Sequence, residues 1–138
     1  EPRMTDFVLD PRLAADTAFI ADGPLSQVRL MDDTRFPWLV LVPRVNGVSE
    51  WLELDGGQQR LLLAEINQAG QLIRAQPGVE KLNIGALGNI VRQFHVHLIG
   101  RHEGDPAWPG PVWGQGAAAR HAPAALAAQI DAWRRRLR

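Results

Sequence analysis

Five consecutive apolar residues, Trp38-Leu39-Val40-Leu41-Val42, stand between Pro37 and Pro43. The run is too short for a typical helix. Its Val, Leu and Trp content suits a strand covered on both faces. Pro43 ends it, because proline cannot donate to a sheet ladder. Phe36 to Val42 is therefore expected as a buried, central strand. Such a strand needs partners on both edges and cover on both faces, and the rest of the chain has to supply them.

Candidates lie on either side. Residues 1–17 read as a lead-in with one helical turn. Thr17 to Asp22 and Leu25 to Met31 flank Gly23-Pro24 and read as a hairpin. Gln58 to Gln76 is the strongest helix: Leu62, Ile66, Ala69 and Ile73 share one face, Asp55 is placed to cap it, and Pro77-Gly78 stops it. Val79 to Ile84 and Val91 to Ile99 are further strands, separated by a glycine-containing loop. Residues 103–116 form a Pro-, Gly- and Trp-containing loop. Pro123 to Arg138 is a second helix with Leu126, Ile130, Trp133 and Leu137 on its apolar stripe. Arg134, Arg135, Arg136 and Arg138 crowd its C-terminal end, where the helix dipole favours cations. Strands this close in sequence pair mostly antiparallel, so residues 1–138 are expected to form one α+β domain: a five-stranded sheet, a long helix and a C-terminal helix.

Composition excludes several classes. Lys plus Arg is 15 and Asp plus Glu is 15, so no bulk charge would hold the chain on nucleic acid or anionic lipid. With no cysteine, disulfides, zinc–thiolate sites and thiol nucleophiles are excluded. The longest strongly apolar run is the five-residue one above, far below the ~20 residues of a membrane-spanning helix. Glu1-Pro2-Arg3-Met4 has no signal-peptide character, and Met4 fits a natural start. The expected location is the cytoplasm.

Chemistry concentrates at Gln93-Phe94-His95-Val96-His97-Leu98-Ile99. On a strand, Phe94, Val96 and Leu98 point to one face and Gln93, His95 and His97 to the other. Three readings of the histidine pair compete. It is a solvated face; or it is half of a metal site, with His102, Glu103 or Asp105 as third ligand; or it is imidazole catalysis, one ring acting as nucleophile and the other assisting.

The segment Gly88-Asn89-Ile90-Val91-Arg92-Gln93-Phe94-His95-Val96-His97-Leu98-Ile99-Gly100-Arg101 resembles the signature of the histidine-triad (HIT) superfamily: three histidines at alternate positions after a Gly-Gln/Asn pair. Leu39-Val40-Leu41-Val42-Pro43, the helix at 58–76, Asn83-Ile84-Gly85 and Trp108-Pro109 resemble other family segments in the same order. Aligned through Gly88-Asn89, Gln93 takes the first triad position, and His95 and His97 take the second and third. Asn46 stands where the family often has a histidine after the strand-ending proline. With two family histidines both replaced by amides, Gln93 and Asn46 are expected to hydrogen-bond each other.

The resemblance implies hydrolysis or transfer at a nucleotide α-phosphate, through a covalent nucleotidyl-histidine and without a metal or other cofactor. His95 would be the nucleophile, its other ring nitrogen donating to a backbone carbonyl. His97 would contact and help protonate the leaving group. Gln93 would bind phosphate or orient its neighbour, without carrying a proton. Gly88 and Asn89 would help hold phosphate, Asn83 would take part in nucleotide binding, and Asp32, or its neighbour Asp33, would hold the ribose. Arg101 would touch phosphate or pair with Glu103. Trp108 and Trp113 would pack the loop, cover the base or meet a dimer partner. The implied partners are a nucleoside phosphate and a second copy of the chain. Two rivals stand beside this: a nucleotide-binding module with little turnover, and a metal-dependent enzyme using His95 and His97.

Overall fold

The computed structural model describes residues 6–138; Glu1 to Met4, read above for an export signal, lie outside them. The elements run in chain order as α1 (Pro11–Asp16), β1 (Thr17–Asp22), β2 (Ser26–Met31), β3 (Trp38–Pro43), a 3₁₀ turn (Trp51–Glu53), α2 (Gly56–Arg74), β4 (Lys81–Gly85), β5 (Val96–Arg101) and α3 (Pro123–Leu137). The strands form one sheet in the order β1-β2-β3-β5-β4, and every neighbouring pair is antiparallel. The fold is the expected α+β one.

The apolar run dictates this arrangement. All six residues of β3 are buried, and β3 occupies the middle of the sheet. Its alternation feeds two cores. Leu39 and Leu41 join Val96 and Leu98 of β5, Leu62, Ala69 and Ile73 of α2, and Trp133 of α3 on the helix face. Trp38, Val40 and Val42 join Ile99, Leu13 of α1, and Ala107 and Val112 of the aromatic loop on the opposite face. Each fully buried aliphatic side chain contributes about 1.5–3 kcal/mol relative to exposure. The second face is thus covered not by long helices but by an N-terminal arm and a loop, which leaves room for a cleft.

Local signals set the helix ends. The Asp55 carboxylate accepts from the Gln58 N–H and the Gln58 side chain returns to the Asp55 N–H, a capping box that starts α2. Asp10 caps α1 through the Arg12 N–H, with Pro11 in the first turn. Glu65, buried on α2, accepts from the Leu25 and Ser26 N–H groups and the Ser26 hydroxyl, tying the β1–β2 turn to the helix layer.

Several boundaries shift by one or two residues, and the largest departure from expectation is at the start of β5. β5 starts at Val96, not Val91. Its ladder with β3 begins at Leu41↔Val96 and its ladder with β4 at Gly85↔His97, so residues 91–95 have no strand beside them. They alternate all the same. Phe94 enters the helix-side core and its N–H donates to the Val48 carbonyl.

Candidate active site

His97 lies on β5 and His95 just before it. Both rings turn away from the helix-side core and lie edge to face, centroids 4.8 Å apart. They form the floor of a cleft of about 570 Å³, within the roughly 300–1,000 Å³ usual for small-molecule sites. Arg12, Leu13 and Asp16 of α1 and Met31 of β2 form one wall; Leu87 to Val91 and Trp113 complete it.

The neighbours fix which ring nitrogen carries the proton. Nδ1 of His95 is 2.7 Å from the Gln93 carbonyl oxygen. A carbonyl only accepts, so this nitrogen donates, and the neutral ring keeps its lone pair on Nε2. His97 is the reverse. The Trp38 indole N–H donates to its Nδ1 at 2.9 Å. An indole N–H only donates, so neutral His97 carries its proton on Nε2. The result is one imidazole able to attack and one able to donate.

Burial, and secondarily the charge of His95, push the His97 pKa down to about 3. Trp38 and Trp113 wall it in, with ring centroids at 5.6 and 5.3 Å. His97 is therefore a neutral hydrogen-bond donor at physiological pH and holds no spare proton, which narrows the proton-giving role expected of it.

Gly88 and Asn89 lie in the loop along the cleft. Gly88 has φ +76°, a left-handed conformation that favours glycine. The backbone N–H groups of Asn89, Ile90 and Val91 make no hydrogen bond within the described residues, so they remain open to an anion.

Other expected site residues lie outside this lining. Asp32 is turned toward the chain before α3: its carboxylate accepts from the His121 N–H, contacts the His121 ring at 2.8 Å and pairs with Arg120. Burial opposes its ionisation, but the His121 hydrogen bonds and the Arg120 charge prevail and hold its pKa below the ordinary value. Asp33 is gripped by Arg35. Arg101 neither touches the cleft nor pairs with Glu103; it forms a buried two-pronged ion pair with Asp105 and donates to Asn83 Oδ1. Trp108 stacks near the Arg101 guanidinium. Asp32, Asn83, Arg101 and Trp108 are thus not brought to the cleft, and the Asp32 carboxylate and the Arg101 guanidinium are already bonded within the chain. Of the loop tryptophans, Trp113 reaches the site. It fits because Gly85 has no side chain: a Cβ there would lie 2.8 Å from the Trp113 ring.

Gln93 also stands outside the cleft lining, and it does not bond Asn46. Both amides go instead to the N-terminal arm: Gln93 to Val8 and Asp10, Asn46 to Val8 and Asp6. The expected direct bond is replaced by a shared partner, Val8.

Arg12, Leu13, Asp16, Met31 and Trp38 carry no sequence signal for the site; α1 reaches the cleft only because the arm folds back across the sheet. Among the described residues, no cluster of three or more His, Asp or Glu side chains is placed to hold a metal ion. Asp105, a ligand candidate in the metal reading, is spent on Arg101.

The sequence profile of the HIT domain matches residues 12–104. The chain belongs to the HIT domain family. Solved HIT proteins superpose over nearly its whole length. A histidine triad protein from Sinorhizobium meliloti is 46% identical with TM-score 0.89, the match covering 98% of this chain and 97% of that one. One from Bradyrhizobium japonicum is 42% identical with TM-score 0.90, covering 96% and 98%. One from Marinobacter aquaeolei is 42% identical with TM-score 0.91, covering 95% and 96%. No curated protein matches. HIT membership supports a nucleotide-binding or hydrolase-type role in general terms. No helix among the described residues is long and apolar enough to cross a membrane.

Proposed function

We propose that this HIT protein is a nucleotide hydrolase or transferase, of the phosphoramidase type, acting at the α-phosphate of a nucleoside phosphate with His95 as nucleophile. The observation that carries the reading is the opposed tautomer pair. The Gln93 carbonyl holds the His95 proton on Nδ1 and frees Nε2; the Trp38 indole holds the His97 proton on Nε2.

In the first step the His95 Nε2 lone pair forms a bond to phosphorus while the bond to the leaving group breaks. The leaving atom departs with the electron pair, steadied by the His97 Nε2–H, and takes a proton from solvent. Water, or another acceptor hydroxyl, then attacks phosphorus. The P–N bond breaks, its electrons return to Nε2, and the attacking oxygen loses its proton to solvent. The open N–H groups of Asn89 to Val91, on the turn that Gly88 permits, suit the phosphate oxygens. The apolar walls from Leu13, Met31 and Trp113 suit a base and sugar. No step requires a metal or other cofactor. We further infer a homodimer, since β4 ends the sheet with an unpaired edge and an exposed Ile84.

The test is turnover of adenosine phosphoramidate and of dinucleoside polyphosphates, with trapping of a nucleotidyl adduct. Turnover abolished in His95→Ala supports the proposal; turnover retained in that variant overturns it. One observation favours the binding-module reading instead: Gln93 and a neutral His97 leave no imidazolium beside His95. Saturable AMP binding without turnover would establish that reading. Sedimentation of a monomer at micromolar concentration would overturn the dimer.

A further inference from the structure

Among the described residues, Phe7, Val8 and Leu9 make no main-chain hydrogen bond to the sheet. Side chains hold them instead. The Gln93 carboxamide donates from Nε2 to the Val8 carbonyl at 2.8 Å and accepts at Oε1 from the Asp10 N–H at 2.8 Å. A neighbouring parallel strand would bond the same two groups around Leu9, so one side-chain amide takes the place of a strand. Asn46 completes the hold: its Oδ1 accepts from the Val8 N–H and its Nδ2 donates to the Asp6 carbonyl, both at 3.1 Å. Phe7 and Leu9 pack against the cleft-side core.

The arm leads directly into the site. Asp10, held by Gln93, caps α1, and α1 carries Arg12, Leu13 and Asp16 into the cleft wall. Gln93 also faces the other way, since its carbonyl accepts from His95 Nδ1. One residue therefore fixes both the wall and the orientation of the proposed nucleophile.

We propose that Gln93 is a positioning residue: with Asn46, its carboxamide clamps the N-terminal arm so that α1 forms the substrate-binding wall, and its side chain takes no part in the chemistry. This rests on the proposed function only for its kinetic readout. An amide suits the task because it offers a donor and an acceptor about one peptide's width apart. An imidazole can meet only one of the two arm groups in that geometry.

The full chain is compared with Gln93→Ala, Gln93→His and Asn46→Ala, each checked for folding by circular dichroism. Amide hydrogen exchange at Val8 and Asp10, AMP affinity and steady-state kinetics on adenosine phosphoramidate are measured. The expected result is faster exchange at both amides in all three variants. AMP affinity falls and KM rises by about 2- to 10-fold, the scale of one lost hydrogen bond, with kcat moving less than KM and an unchanged pH profile. Gln93→His behaves like Gln93→Ala. The proposal is overturned if Gln93→His raises kcat, or adds a titration step to the profile, while exchange at Val8 and Asp10 stays as in the parent. Unaltered exchange in Gln93→Ala and Asn46→Ala overturns it as well. A parent protein without turnover refutes the hydrolase reading alone, because exchange and AMP affinity still decide the clamp.

Discussion

Replacing His97 by glutamine should reduce the stability that the protein loses between neutral and mildly acid pH by about 2 kcal/mol. His97 is buried, with a pKa pushed from 6.5 to about 3 by burial and then by His95. In the unfolded chain it titrates near its ordinary value. Between those two values the unfolded state binds a proton that the folded state refuses, so acid favours unfolding. The effect is absent well above pH 6.5, grows as pH falls, and levels off only near pH 3. Integrated from pH 7 to pH 5, this single group costs about 2 kcal/mol. Glutamine keeps an oxygen able to accept from the Trp38 indole but cannot be protonated in this range, so the variant should lose about 2 kcal/mol less over the same interval. The assay is urea unfolding of both proteins at pH 7, 6 and 5, with m-values compared to confirm the same transition. Groups distant from His97 are common to both proteins and cancel in the difference. Equal losses would show that His97 takes up a proton readily in the folded state. The fixed donor tautomer would then be wrong.

Other outcomes follow from the same contacts. Trp38→Phe removes the donor that selects the His97 tautomer; kcat/KM should fall about 2- to 10-fold, and the His97 nitrogen signals should show tautomer averaging by NMR. Gly85→Ala forces a methyl group against Trp113; overpacking should cost about 1–3 kcal/mol, weaken AMP binding and shift the tryptophan emission, and unchanged emission would refute the contact. Asp105→Ala leaves Arg101 buried without its carboxylate partner and should cost about 3–5 kcal/mol in urea unfolding. Arg101 holds the Asp105 carboxyl well below its ordinary range, so this pair stabilises the fold at all pH values above about 4 and is lost only on stronger acidification.

Much of the fold was legible because its signals are local. The Pro-bounded run, the period of α2 and the Asp55 cap each act within a few residues, and they place β3 and α2 where the structure has them. The histidine pair was legible for the same reason, since strand alternation alone puts His95 and His97 on one face. The β5 boundary was not, because residues 91–95 alternate like a strand yet lack neighbours, and pairing is a property of other segments. Asp32 read as a free turn carboxylate and is captured by His121, 89 positions away. Arg12 read as part of a lead-in and stands in the cleft, because Asn46 and Gln93 pull the arm back over contacts spanning 38 to 85 positions.

The site therefore divides by origin. Its floor is extended backbone: the ladder holds His97, the Phe94 N–H bond to the Val48 carbonyl holds the segment of His95, and two bonds fix the tautomers, so small changes in sequence would move it little. Its walls are the arm and the aromatic loop, and neither belongs to the sheet. The arm hangs on two amides. The loop hangs on the Arg101–Asp105 pair at one end and, at the other, on Arg35, which grips Asp33 and donates to the Gln115 carbonyl. Segments tied by a few side-chain bonds open at lower free energy than ladder-bonded strands. Substitutions at Asn46, Gln93 or Arg35 should consequently change how tightly substrate binds, whereas substitutions at Trp38 or His97 change what happens once it has bound.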